Sequence, residues 1–296
     1  MKTLIVNLGP PGDVVRTTVL LRALKDEIYW LTKQKCTDVL LSKKIKRVFI
    51  AESESDIKDM KEISFDWTIS LNEEIEALNL VKEIKTKKLT GIFLNERNAI
   101  DYTNDSSYWF DMSLSSKYGK TKADELKARN KKSLPEILIE MIGAKWDCQE
   151  YDLNIKPKEI KGTIGIIKEN TGIWPNKRWF YYDALKSELE KEGFKAIFLG
   201  IRPTIREHIN DINNCELIIC GDTLGMHIAL ALKKKVVALF NCTSPNEVYD
   251  YKRMIKVISP LLHKYFYDKK FSEEAIKAIK IEDVKEAIKK ILKDIY

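Results

Sequence analysis

The stretch CGDTLGMHIALALKKKVVALFNCTSP, Cys220–Pro245, decides the fold. Leading into it, Glu216–Cys220 (ELIIC) is apolar enough to be a buried strand. Gly221-Asp222-Thr223-Leu224-Gly225 is a tight turn, Met226–Lys234 carries apolar residues at helical spacing, and Val236–Phe240 (VVALF) is a second buried strand. Strand, Gly-rich turn, helix and strand make a βαβ unit, with the turn at the carboxyl edge of a parallel sheet. Open α/β sheets take their ligands at that edge. The opening N–H groups of the helix point over Asp222–Gly225, and the helix dipole there favours an anion such as a diphosphate. A carboxylate (Asp222), a hydroxyl (Thr223) and an imidazole (His227) crowd the turn. Taken locally, the same residues also fit a plain strand-to-helix turn capped by Asp or Thr.

The same alternation extends towards the start of the chain. Leu4–Leu8 (LIVNL) suits a central parallel strand. It enters Gly9-Pro10-Pro11-Gly12-Asp13, and Val14–Lys25 continues as a helix. The loop is not G-x-G-x-x-G, so the dinucleotide fingerprint is absent. Asp13 stands at the helix start beyond the first strand, where capping and catalysis are both open to it. Ile28–Thr32, Arg47–Ala51, Trp67–Leu71 and Leu89–Leu94 read as strands and Asn72–Lys85 as an amphipathic helix. This alternation predicts a doubly wound parallel sheet. Asn95–Asn130 loses periodicity and gathers Tyr102, Tyr108, Trp109 and Phe110, either as a substrate-contacting excursion or as a loop packed by its own rings. Ser133–Gly143 restores a helix.

Lys156–Thr163 (KPKEIKGT) has little to bury and reads as an interdomain linker, with a second sheet starting at Ile164–Ile167. The loop Glu169–Trp179, ENTGIWPNKRW, brings Asn170, Thr171, Lys177 and Arg178 to a strand's carboxyl end. Such groups suit a phosphate, or simply a basic surface turn ahead of a core Trp179. Phe180–Glu192 is an amphipathic helix, Lys195–Leu199 a strand, Asn246–Lys256 a polar and aromatic stretch, and Ile281–Ile295 a helix whose apolar stripe must pack on something.

At 296 residues the chain has room for two domains of about 150 residues each. Its 44% hydrophobic content is that of a globular protein. The net charge of +7 comes from scattered lysines, without a basic stripe interleaved with aromatics, and so does not favour nucleic-acid binding. Five cysteines, no C-x-x-C and no leader-like start predict free thiols in a reducing cytoplasm. No apolar run approaches the roughly 20 residues that span a bilayer.

Three segments in this order, GDVVRTTVLLRALK (Gly12–Lys25), WPNKRW (Trp174–Trp179) and GDTLGMHIALALKKKVVALF (Gly221–Phe240), resemble the family 9 glycosyltransferases, the ADP-heptose:lipopolysaccharide heptosyltransferase family. The resemblance implies an α/β GT-B fold, two Rossmann-like domains with parallel sheets facing a central cleft. It implies an acceptor domain over residues 1–157, a nucleotide-sugar domain over 158–280, and a terminal helix, 281–296, that packs back on the first domain. By the same resemblance Asp13 is the catalytic base, and Gly12 and Arg16 belong to the acceptor side, joined there by Trp109 of the aromatic excursion. Lys177 meets the donor phosphates, with Asn170 and Thr171 beside it. Asp222, Thr223, Leu224, Gly225 and His227 touch donor sugar and diphosphate. Glu207 is the nearest counterpart of the family's ribose-binding carboxylate. The glycine of the turn stands one place later than in the family's D-T-G or D-S-G.

The activity implied is inverting, metal-independent transfer of a sugar, heptose from ADP-heptose for example, to a hydroxyl of a lipopolysaccharide-like or other cell-surface glycan. No D-x-D occurs, and no cofactor is expected beyond the nucleotide-sugar co-substrate. A glycolipid acceptor together with net positive charge implies peripheral contact with the cytoplasmic membrane face. Two other readings use the same scaffold, a sugar-nucleotide epimerase and a non-catalytic nucleotide-sugar-binding protein.

Overall fold

The computed structural model describes every residue except 169–171, 173 and 294–296. The chain divides into two compact units, Met1–Asn154 and Ile155–Tyr296, with the division a little ahead of the expected linker.

In the first unit, six strands are described: β1 (Lys2–Val6), β2 (Glu27–Thr32), β3 (Ile45–Ile50), β4 (Ser64–Ser70), β5 (Lys85–Leu94) and β6 (Ile100–Tyr102). They form one sheet in the order β3-β2-β1-β4-β5-β6. The first five run parallel, as the alternation predicts, and the short β6 adds to β5 in the antiparallel sense. Gly91 permits the turn of β5 alongside β4: its φ is +110°, and a Cβ there would lie 1.9 Å from the Ser70 carbonyl oxygen. Leu4, Val6, Tyr29, Leu31, Phe49 and Phe65 build the core on one side of this sheet.

The helix expected over Val14–Lys25 is two short helices, Pro11–Thr17 and Leu20–Ala23. Thr18 explains the break, because its hydroxyl donates to the Val15 carbonyl and accepts the N–H of Asp152. The irregular stretch after β5 holds short helices at Ser107–Phe110 and Lys120–Arg129.

The second unit has β7 (Thr163–Ile167), β8 (Lys195–Phe198), β9 (Leu217–Gly221), β10 (Lys235–Phe240) and β11 (Met254–Ile258) among its described residues. All are parallel, in the order β11-β10-β9-β7-β8. The opening strand–turn–helix–strand reading corresponds to β9, the helix Leu224–Ala231 and β10.

In the terminal helix, Ile281–Lys293, the residues Val284, Ala287, Ile288 and Ile291 insert into the core formed by Ile164, Leu217, Val237 and Leu239 of the second unit. Lys285 fixes the helix further through ion pairs with Glu188 of the helix Tyr182–Lys191 and with Glu192, which caps that helix.

Strand order reverses once in each sheet. In the first, the chain leaves β1 towards β2 on one side and later returns to pair β4 on the other; in the second, β7 has β8 on one side and β9 on the other. Loops leave such a switch point in opposite directions, and the crevice between them is where open α/β sheets hold ligands.

Candidate functional site

The second unit's switch point is flanked by the loop after β7, which carries Lys177, and the turn after β9, which carries Asp222. Three buried anchors position Lys177. Asn176, fully buried, donates to the carbonyls of Asp268 and Lys270 and accepts the Ser272 N–H. Trp179 Nε1 donates to the Ile279 carbonyl, and Asn241 Nδ2 donates to the Arg178 carbonyl. Gly221 completes the fit, since a Cβ there would lie 2.9 Å from the Lys177 carbonyl oxygen. Lys177 Nζ then reaches the turn, donating to the Asp222 carbonyl (2.8 Å) and to Oδ2 of its carboxylate (3.0 Å). His227 Nε2 stands 3.7 Å from the other carboxylate oxygen, Oδ1, with its side chain 5% exposed.

Thr223 opens the helix without a side-chain cap bond, and its hydroxyl oxygen is buried with no protein partner among the described residues. Leu224 begins the helix and Gly225 follows it. A Cβ on Gly225 would lie 2.3 Å from Ile167 Cδ1 and 3.2 Å from His208 Nε2, so the displaced glycine of the turn is required by packing. The plain-cap reading of the turn therefore fails for the side chains. Asp222 is bound to Lys177, and Thr223 caps nothing.

The helix bearing Glu207 meets this turn through the next residue, His208. Glu207 itself is exposed, and its N–H is accepted by the Thr204 hydroxyl. Asn170 and Thr171 lie outside the described residues. Sequence reasoning missed Tyr267 and Glu247. Tyr267 donates from its hydroxyl to the buried Glu247 carboxylate at 3.0 Å and sets its ring edge-on to Trp174. Burial, with Glu247 and Asp222 nearby, pushes the Tyr267 hydroxyl well above its ordinary pKa and keeps it a neutral donor. No local pattern announces either residue, because they belong to different loops.

In the first unit, Asp13 lies in the first turn of the helix Pro11–Thr17, with Gly12 before it. Pro10 occupies the cap position and Asp13 makes no side-chain cap bond, so its carboxylate is left for other work. That carboxylate is 51% exposed, 3.3 Å from Nη1 of the largely buried Arg16. Trp109 sits on the short helix Ser107–Phe110 with Lys127 Nζ 5.2 Å from its ring centre.

Among the described residues, no group of three His, Cys, Asp or Glu side chains is arranged to hold a metal ion, and no cysteine is in a disulfide. No described helix is long and apolar enough to cross a membrane.

Residues 199–276, which span the turn and both its strands, match the family model of glycosyltransferase family 9 (heptosyltransferase). The similarity to the family 9 glycosyltransferases lies in that segment of the second unit. No curated protein matches it at the level of sequence. Among solved structures, it superposes on a glycosyl transferase family 9 protein from Veillonella parvula with a TM-score of 0.70 at 16% identity, covering 99% of this chain and 97% of that one. E. coli heptosyltransferase WaaC, solved with ADP-2-deoxy-2-fluoro heptose, gives 0.66 at 13%, covering 98% and 99%. E. coli ADP-heptose lps heptosyltransferase II gives 0.67 at 14%, covering 99% and 98%. The likeness at these identities is one of fold, and the fold is GT-B.

Proposed function

We propose that the protein transfers a sugar from a nucleotide-diphosphate donor, heptose from ADP-heptose, to a hydroxyl of a lipopolysaccharide-like glycan, with inversion and without a metal. One observation carries the reading: Lys177 Nζ is held 2.8 Å from the backbone of the turn that opens the helix Leu224–Ala231. The Lys177 ammonium and the N–H groups of a helix N-terminus are preorganised donors for a leaving diphosphate, with the His227 imidazole beside them. Asp222 keeps Lys177 in place before the donor arrives.

The first unit supplies the base. Asp13 takes the proton of the acceptor hydroxyl, the freed oxygen pair forms the bond to the anomeric carbon, and the bond from that carbon to the diphosphate oxygen breaks. The nucleoside diphosphate leaves with the electron pair, and Asp13 returns its proton to solvent. Attack opposite the leaving group inverts the anomeric centre. The solved relatives that contain ADP or an ADP-heptose analogue support the choice of donor.

Thermal shift across ADP-, GDP- and UDP-sugars identifies the donor, because a ligand bound only by the folded state raises the melting point. Asp13→Ala is expected to lower transfer by about 10²–10⁴-fold with donor affinity unchanged. Undiminished turnover in that variant overturns the role of Asp13 and favours an epimerase.

A further inference from the structure

β1 and β4 are neighbours up to the pairing of Val6 with Ser70, and the Leu71 N–H still reaches the Val6 carbonyl at 3.0 Å. Beyond that point the two chains part. One enters Gly9 and the helix of Asp13, and the other enters Asn72 and the helix Ile75–Lys82. This is the first unit's switch point, and Gly9 floors it. A Cβ on Gly9 would lie 3.0 Å from Asn7 Oδ1, 3.4 Å from Asn72 Nδ2 and 3.8 Å from Asp13 Cβ. The missing side chain lets the Gly9 backbone pack closely against two amides and the residue read as the base.

The two amides differ in commitment. Asn7 is spent on the fold, its Nδ2 donating to the Thr17 hydroxyl and its Oδ1 accepting the Gly9 N–H. Asn72 is 9% exposed, its Oδ1 is buried without a partner, and its side chain makes no hydrogen bond among the described residues. The neighbouring Glu73 already ties this loop down by accepting from the Ser113 hydroxyl and the Ser115 N–H. Nothing in the unit needs an amide at position 72, and burying one unbonded is unfavourable. Asn72 Nδ2, the end of the amide that lies against Gly9 near Asp13, is therefore a donor left for a ligand.

We propose that Asn72 binds the acceptor, its amide hydrogen-bonding a sugar hydroxyl adjacent to the one that Asp13 deprotonates, beside the Gly9 backbone. An amide can turn either its donor or its acceptor end to such a hydroxyl, which fits a carbohydrate partner. The proposal rests on the transferase reading and adds to it the residue that selects which hydroxyl is presented.

The test uses the full chain, ADP-heptose as donor and lipopolysaccharide lacking heptose as acceptor, with ADP affinity by calorimetry as the control. Asn72→Ala is expected to raise the acceptor KM about tenfold, the scale of one lost hydrogen bond, with kcat changed less and ADP affinity unchanged. Gly9→Ala, whose methyl would press on the Asn7 and Asn72 amides, is expected to act in the same direction by shifting Asn72. If the wild type transfers heptose and both variants keep its acceptor KM, the assignment of Asn72 is overturned and the transferase reading stands. If the wild type binds ADP but transfers nothing to this acceptor, the transferase reading falls and takes the assignment with it.

Discussion

At the scale of single residues, the position of Lys177 is set by buried hydrogen bonds of its neighbours Asn176, Arg178 and Trp179. Lys177 and Asp222 have side chains 18% and 17% exposed, so their pairing is partly desolvated. Lys177→Ala leaves Asp222 without its cation and removes the charge expected to meet the diphosphate. It should weaken ADP binding by roughly tenfold or more in calorimetry. Gly225→Ala tests packing alone. Its methyl would overlap Ile167 and crowd His208, at a cost of about 1–3 kcal/mol in denaturant unfolding. Asp13, Lys177 and Asp222 stand out in the sequence as candidates because each lies in a short motif at a strand's carboxyl end. Tyr267, Glu247 and Asn72 do not, because their significance depends on neighbours supplied by other loops.

Among the elements, the terminal helix is the clearest case where pattern and partner come apart. Its apolar stripe at Val284, Ile288 and Ile291 was readable from spacing, but a stripe does not name the surface it covers. Ile288→Ala should destabilise the second unit by about 2–5 kcal/mol, seen as a lower denaturant midpoint for that unit. The ion pair that holds this helix adds a dependence on pH. Hydrogen bonding from Lys285 keeps the Glu192 carboxyl below its usual range. Its stabilising contribution is therefore present above the unfolded carboxylate pKa, about 4.3, and lost as pH falls through the lower folded value. Comparing urea midpoints at pH 5 and pH 3, Glu192→Gln should lose less stability on acidification than the wild type. β11 escaped the sequence reading because Lys256 interrupts its apolar run. In the fold that ammonium is accommodated by the carbonyls of Pro245 and Val248. The helix expected from Asn72 begins at Ile75 instead, since Glu73 is engaged with Ser113 and Ser115.

At the scale of the whole molecule, each of the two units has one switch point, and the proposed function assigns the donor to the second and the base and acceptor contacts to the first. ADP at about 100 times its Kd should stabilise the second unit by about 2.7 kcal/mol, measured as a rise in its calorimetric transition, and Asp13→Ala should leave that rise unchanged. By itself the sequence determined the alternation of strands and helices, the two sheets and the motifs at their carboxyl edges, because these follow from local periodicity and from turn chemistry. Only the tertiary structure decided that the last helix completes the second core, that β6 runs antiparallel, and that Asn72 stands orphaned beside Gly9. Each of those depends on which surfaces meet, and contact between residues far apart in the chain leaves no mark on the spacing within either segment.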